Sequence, residues 1–184
     1  LDGTTNFAHG FPWFAVSIAL EVRGKLTLGV VYNPYVGEFY FAERGQGAFL
    51  NERRLQVSAT RVLERALLAT AFAYDHKSCK ANNYDYFARF QKEAQACRRP
   101  GVASLDLASV AAGRFDGFWE MKLKPWDLAA GVLLVEESGG RVSDFDGNPM
   151  TLDSLECLAS NVLIHEEMQR ILQPGCRPHA VSSA

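Results

Sequence analysis

Two aspartates set in unlike surroundings constrain this chain more than any other feature. The first lies in the opening stretch Leu1-Asp2-Gly3-Thr4-Thr5-Asn6-Phe7. Asp2 offers hard oxygen atoms, and Gly3 lets the backbone turn tightly and lets another group come close. Thr4 and Thr5 each bring a hydroxyl and an amide, and either can cap a helix. A carboxylate followed at once by a turn and free N–H groups can hold a metal and a phosphate side by side; an ordinary Asp-Gly turn reads the same way. The second lies in Lys124-Pro125-Trp126-Asp127-Leu128-Ala129-Ala130-Gly131. Here Pro125 is expected to end a strand and Asp127 to sit at a helix N-terminus, where Asp is a favoured cap. A capping carboxylate keeps lone pairs to spare and can also coordinate a cation.

Bulk properties remove several function classes. A net charge of -2 gives no electrostatic footprint for nucleic acid. No apolar run approaches the roughly 20 residues of a membrane helix. Cys79, Cys97, Cys157 and Cys176 contain no C-x-x-C pair, which argues against a disulfide framework or zinc site and fits reduced thiols in a cytoplasmic protein. The 184 residues are enough for one domain, or one lobe and part of another.

Along the chain, residues 14–57 read as a meander of hairpins with antiparallel pairing. The run Phe14–Leu20 is nearly continuous apolar, as in a strand buried on both faces. Further strands are expected at 26–32, 38–42, 48–50 and 55–57. Beyond residue 67 strands and helices alternate. Apolar residues Phe87, Phe90, Ala94 and Cys97 have helical spacing and predict one helix over 83–97. Small-residue and apolar patterns predict helices over 103–112, 127–138 and 165–172, with strands at 67–71, 115–121, 141–143 and 157–159. The organisation expected is an incomplete antiparallel lobe over 1–66, an α/β lobe over 67–172 and a frayed tail over 173–184. His9, His76, His165 and His179 are too scattered for a metal cluster. Asp106 and Asp116 read as structural, and Asp144 and Asp146 as turn formers. Arg98-Arg99 reads equally as a solvated helix end or as a face toward an anionic substrate or a neighbouring subunit.

Both aspartate stretches, with His9 and Pro12 after the first and Glu136, Gly139-Gly140 and Val142-Ser143-Asp144 after the second, resemble the paired signatures of the inositol monophosphatase family. Gly113-Arg114-Phe115-Asp116-Gly117-Phe118-Trp119-Glu120 between them matches too. The resemblance runs from Leu1 to about Leu172. It implies a layered α/β/α/β/α sandwich of the sugar-phosphatase type, with N-terminal helices lying outside this chain. It further implies two or three Mg²⁺ ions and hydrolysis of a small phosphate monoester by activated water, with no phosphoenzyme. By the same resemblance, metal ligands are Asp2, Asp127, the Leu1 backbone carbonyl and Thr4, which also orients the attacking water. Gly3, Thr4, Gly101, Val102, Ala103, Glu120 and Asp127 line the substrate site. A helix N-terminus beside the phosphate would add a favourable dipole.

The family pattern also places an Asp-Pro just before Leu1 and a glutamate further upstream. A native N-terminal part is therefore expected beyond this sequence, and residues 1–184 alone are expected to be inactive. Val102 and Ser104 depart from the usual hydroxyl-then-alanine pocket loop, which weakens the case for inositol as preferred substrate. The resemblance further implies a cytoplasmic, lithium-sensitive homodimer without membrane attachment. The alternative is an interaction protein of the same family, acting in transcription or RNA processing with phosphatase activity secondary.

Overall fold

The structure, a computed structural model, describes residues 1–79 and 82–173. The first sheet is antiparallel throughout, in the order β1 (Val16–Val22), β2 (Lys25–Asn33), β3 (Glu38–Glu43), β4 (Gly47–Leu50), β5 (Arg53–Arg54). The β1–β2 connection is two residues long, and both Arg23 (φ 53°) and Gly24 (φ 74°) are left-handed. That is the twist-matched hairpin turn, so the meander follows from local chemistry. Residues 55–57 form no strand of their own; only Leu55 N–H still bonds Ala48 O, at 2.8 Å.

The second sheet is mixed, in the order β7-β6-β8-β10-β9. Its strands are β6 (Leu67–Thr70), β7 (Ala96–Arg98), β8 (Gly117–Met121), β9 (Arg141–Ser143) and β10 (Glu156–Ser160). The helices are α1 (Thr4–Ala8), α2 (Tyr84–Glu93), α3 (Ala103–Ala111), α4 (Pro125–Glu137) and α5 (His165–Leu172). The helix expected over 83–97 therefore stops early. Ala94 is extended (ψ 162°), and Cys97 lies in β7, paired parallel to Leu68 of β6.

Layering follows from strand alternation. Ala69, Phe118, Cys157 and Ala159 face one way and join the core around α3 and α4. Leu68, Trp119 and Leu158 face the other way, into a core with Phe90, Ile164 and Met168 from the α2 and α5 side. On the first sheet, Val31, Tyr40, Ala42, Ala48 and Leu50 point to the same α3–α4 layer. The described residues thus stack as β/α/β/α, with α3 and α4 between the sheets. Gly29 lets α4 approach the first sheet: a Cβ there would lie 2.9 Å from Ala130 O and 3.0 Å from Ala130 Cα. Gly131 does the same toward α3, where a Cβ would meet Leu107 at 2.6 Å.

β1 is a correction to the sequence expectation. Its run is not buried on both faces: Val16, Ile18, Leu20 and Val22 are all exposed, Ile18 to 58%. They lie on the face of the first sheet opposite α4, with Val16, Ile18 and Leu20 in register with Tyr32, Val30 and Leu28, and Val22 with Lys25. Apolar composition reported strand formation correctly but could not report what covers each face.

Asp116 is structural, as expected. Its carboxylate accepts from Ser58 Oγ (2.5 Å) and Leu67 N–H (2.7 Å), tying the turn before β8 to β6. Asp144 forms its turn by accepting from Asn148 N–H at 2.8 Å. Glu38 and Arg114 pair through two bonds of 2.8 and 2.6 Å, clamping β3 to the segment after α3. Cys79, Cys97 and Cys157 are free thiols, and Cys176 lies outside the described residues.

His165 is fully buried, with Nδ1 2.8 Å from Ser160 Oγ and Nε2 3.0 Å from Ser143 Oγ. Burial disfavours its charged form, and Arg141 adds to this, pulling its pKa from 6.5 down to about 4. The neutral ring is the native form, so its stabilisation is complete above pH 6.5 and is lost as pH falls from there toward 4. Urea midpoints are therefore expected to drop across that window in the native protein. The slope should flatten in His165→Gln; an unchanged slope would show that other groups carry the acid sensitivity.

Candidate active site

Asp2 is held from both sides. Its backbone exchanges two hydrogen bonds with Ala15, Asp2 N–H to Ala15 O at 2.8 Å and Ala15 N–H to Asp2 O at 3.0 Å. Its Oδ2 accepts from Ser104 N–H (2.9 Å) and from Ser104 Oγ (2.7 Å) at the start of α3. One carboxylate oxygen is thereby fixed while Oδ1 carries no bond to a described residue. Gly3 follows in the left-handed region (φ 82°), and a Cβ there would lie 2.7 Å from Val102 and 3.1 Å from Trp13 O. Only glycine fits this junction of the opening stretch with the 101–103 loop.

Thr4 and Thr5 do not cap a helix. They open α1, whose cap position is Gly3, without a side-chain bond. α1 spans five residues, too short to offer the dipole expected from sequence. What it offers instead is the Gly3 and Thr4 amides and the exposed Thr4 hydroxyl. Asn6 locks the arrangement: its Nδ2 donates to Trp13 O (2.8 Å) and to Pro100 O (2.9 Å). The opening stretch and the 101–103 loop are thus fastened together. Gly101 is left-handed (φ 78°), Val102 is extended before α3, and Val102 and Ala103 are buried.

Asp127 is the third residue of α4, not its cap. Pro125 takes the first helical position, which its fixed φ suits. The strand before it ends earlier, at Met121, and Lys122 is left-handed (φ 62°). Asp127 Oδ2 accepts from Lys124 N–H at 3.0 Å, which closes the helix start and aims the carboxylate. Glu120 stands on β8 two residues from Phe118, hence on the same face, toward α3 and α4. It is 5% exposed, and its Oε2 has no hydrogen-bond partner among the described residues.

Electrostatics shows that these carboxyls share one space. Burial pushes Glu120 up to about 8; Asp2 and Asp127 push the same way, and Arg99 opposes them. Burial also raises Asp127, against the Lys124 amide and with the charge of Asp2. Asp106 on α3 is fully buried, and neither of its oxygens has a partner among the described residues. Burial first, then Glu120 and Asp2, hold it well above the usual carboxylate range. Sequence reading put Asp106 aside as structural and did not give Ser104 or Asn6 a role. The Asn6–Pro100 and Ser104–Asp2 bonds span 94 and 102 residues, beyond what any local pattern registers.

The donor chemistry fits a hard divalent cation. The carboxyls of Asp2, Asp106, Glu120 and Asp127 act on one another's ionisation, and a cation entering among them would favour their charged forms. Among the described residues, no three acidic, His or Cys side chains converge as a complete cage. Mg²⁺ needs no such cage, since it keeps several waters and takes one or two carboxylates with substrate phosphate. Asp2, Asp127, the Leu1 carbonyl and Thr4 are the residues that would hold it.

Comparison with known proteins places the chain in a family. Residues 1–177 match the sequence model of the inositol monophosphatase family. An inositol-1-monophosphatase of Synechocystis is 47% identical over 172 residues, which is 94% of this chain and 60% of that protein. The Nus factor SuhB of Pseudomonas aeruginosa is 48% identical over 180 residues, 97% of this chain and 66% of that protein. The solved inositol monophosphatase of Anabaena superposes with a TM-score of 0.91 at 45% identity, covering 93% of this chain and 68% of that one. The chain thus spans about two thirds or less of the curated relatives it matches.

Proposed function

The chain belongs to the inositol monophosphatase family, and on that premise we propose that it forms the metal- and phosphate-binding face of a Mg²⁺-dependent phosphomonoesterase. One observation carries the reading. Asp2 and Asp127, on different elements, are brought within electrostatic reach of each other and of Glu120, beside a glycine junction that admits no side chain.

Each residue has a role its chemistry suits. Asp2 and Asp127 give carboxylate oxygens to the cation, and the Leu1 carbonyl and Thr4 hydroxyl complete this chain's share. Bound Mg²⁺ would supply Lewis acidity toward the phosphate and a lowered pKa for water. The Gly3 and Thr4 amides face the phosphate oxygens as donors. Thr4 orients the attacking water and is not itself the nucleophile. Gly101, Val102 and Ala103 wall the substrate, and Glu120 hydrogen-bonds a substrate hydroxyl. The substrate is inositol monophosphate or a related sugar or nucleotide phosphate; apolar Val102 leaves that choice open. No described helix is long and apolar enough to cross a membrane. Family likeness further supports a cytoplasmic homodimer.

The test is phosphate release from a panel of monoesters by the full-length protein, since residues 1–184 alone are expected to be inactive, with Mg²⁺ present or removed by chelator, and with or without Li⁺. Release is expected to need Mg²⁺ and to fall with Li⁺. Absence of Mg²⁺-dependent release from every monoester overturns the reading. A second reading has the Nus-factor relative behind it: an interaction protein of the transcription machinery. Capture of transcription proteins that persists undiminished in a phosphatase-dead Asp127→Asn protein would favour it.

A further inference from the structure

The residue that follows β7 (Ala96–Arg98), on the way into the 101–103 loop, is the cation Arg99. The Arg99 guanidinium carbon lies 5.0 Å from the centroid of the Phe72 ring. Phe72 is itself held by Tyr84 at 5.0 Å and by His76 and Phe87, each at 5.8 Å between ring centroids. The platform under the guanidinium is therefore fixed, which lowers the entropy cost of using it. Arg44, Arg114 and Lys122 stand in ion pairs with Glu136, Glu38 and Asp75. Arg99 has no such pair among the described residues. Its neighbour Pro100 is bonded to Asn6, so the loop cannot drift from the opening stretch. The Arg99 charge reaches Glu120, opposing the effect of Asp2 and Asp127.

The site is thus acidic at its centre, with two cations beside it that stand in no ion pair among the described residues: Lys124, next to Asp127, and Arg99, whose charge reaches Glu120. The acids suit a metal-bound phosphate. Arg99 suits something else: an anionic group elsewhere on the substrate. A guanidinium can take a phosphate or carboxylate by two parallel bonds, and Arg99 lies over the Phe72 ring outside any ion pair among the described residues.

We propose that Arg99 is a specificity-determining residue that grips a second anionic group, so that phosphate monoesters bearing another phosphate or a carboxylate are preferred over neutral polyol monophosphates. This rests on the phosphatase reading above.

The experiment compares kcat/KM for myo-inositol 1,4-bisphosphate and myo-inositol 1-phosphate in the native protein, Arg99→Gln and Arg99→Lys. Arg99→Gln is expected to lower the bisphosphate value about tenfold more than the monophosphate value, through KM, as for loss of one charge-assisted contact. Arg99→Lys should restore only part of the difference, because an ammonium keeps the charge but not the two parallel bonds. An equal fall for both substrates overturns the proposal, and so does no fall. So does an Arg99→Gln change confined to oligomeric state by sedimentation, which would make the residue an assembly contact. Calorimetric binding of the same two compounds in Ca²⁺ separates the proposal from its premise. Without turnover on either compound the phosphatase reading fails, while tenfold weaker bisphosphate binding by Arg99→Gln still supports a role for Arg99. Equal binding by both proteins sinks it.

Discussion

Phosphate release by the Asp127→Asn protein is expected to fall by about three decades in kcat, a loss of ~4 kcal/mol of transition-state stabilisation. The magnitude follows from what the substitution leaves in place. An asparagine oxygen can still accept from Lys124 N–H, so the start of α4 stays closed, and the fold should lose no more than roughly 1 kcal/mol, the worth of a cap. What disappears is one of the carboxyl groups that bear on the site with Asp2 and Glu120. A cation then has less reason to enter, and the stabilisation that Mg²⁺ gives to the native melt should shrink in parallel. Near-native release from Asp127→Asn, with an unaltered Mg²⁺ effect on melting, would show that this aspartate is only a helix-start residue. Asp2→Asn should behave alike, because Ser104 can still donate to the amide oxygen.

Gly29→Val is expected to cost about 3 kcal/mol of stability, the upper part of the range for overpacking. Gly29 is not a turn glycine; it sits in mid-strand, where β-branched residues are normally favoured. Propensity alone would make the substitution stabilising. Geometry reverses the sign, because the new Cβ would meet backbone atoms of Ala130 at 2.9 and 3.0 Å. Backbone in the middle of a helix has no rotamer with which to yield, so α4 must move away from the sheet. Asp127 rides on the same helix, so activity should fall with stability. Urea unfolding is the measurement: the midpoint should drop while the slope with denaturant stays constant. A midpoint that rises would mean that α4 does not lie against β2 as closely as described.

Both candidate aspartates stand out in the sequence because each sits in a long local pattern. The hairpin meander was legible for the same reason: Arg23-Gly24 and the breaks after each strand act over a few residues. Three things were not. β7 is only three residues long and exists because β6 lies beside it, so the helical spacing of Phe87, Phe90 and Ala94 ran on falsely to Cys97. The exposure of β1 depends on which layer faces it, and an apolar run carries no sign of that. Ser104 was noticed only as a departure in the pocket loop, yet it holds Asp2 by two bonds across 102 positions. The start of α4, expected at 127, lies two residues earlier at Pro125, because Pro125 can close a strand or open a helix and only the backbone decides.

Ser104's grip on Asp2 has a thermodynamic consequence. The site is assembled from residues 2, 104, 120 and 127, which belong to four separate stretches joined only in the native state. An unfolded chain contains no version of it. Whatever occupies the site therefore binds one side of the folding equilibrium alone, and occupancy at a hundred times the dissociation constant adds about 2.7 kcal/mol to stability. Occupancy and folding become one coupled equilibrium, and the concentration of the occupant becomes a dial on how long the chain stays folded.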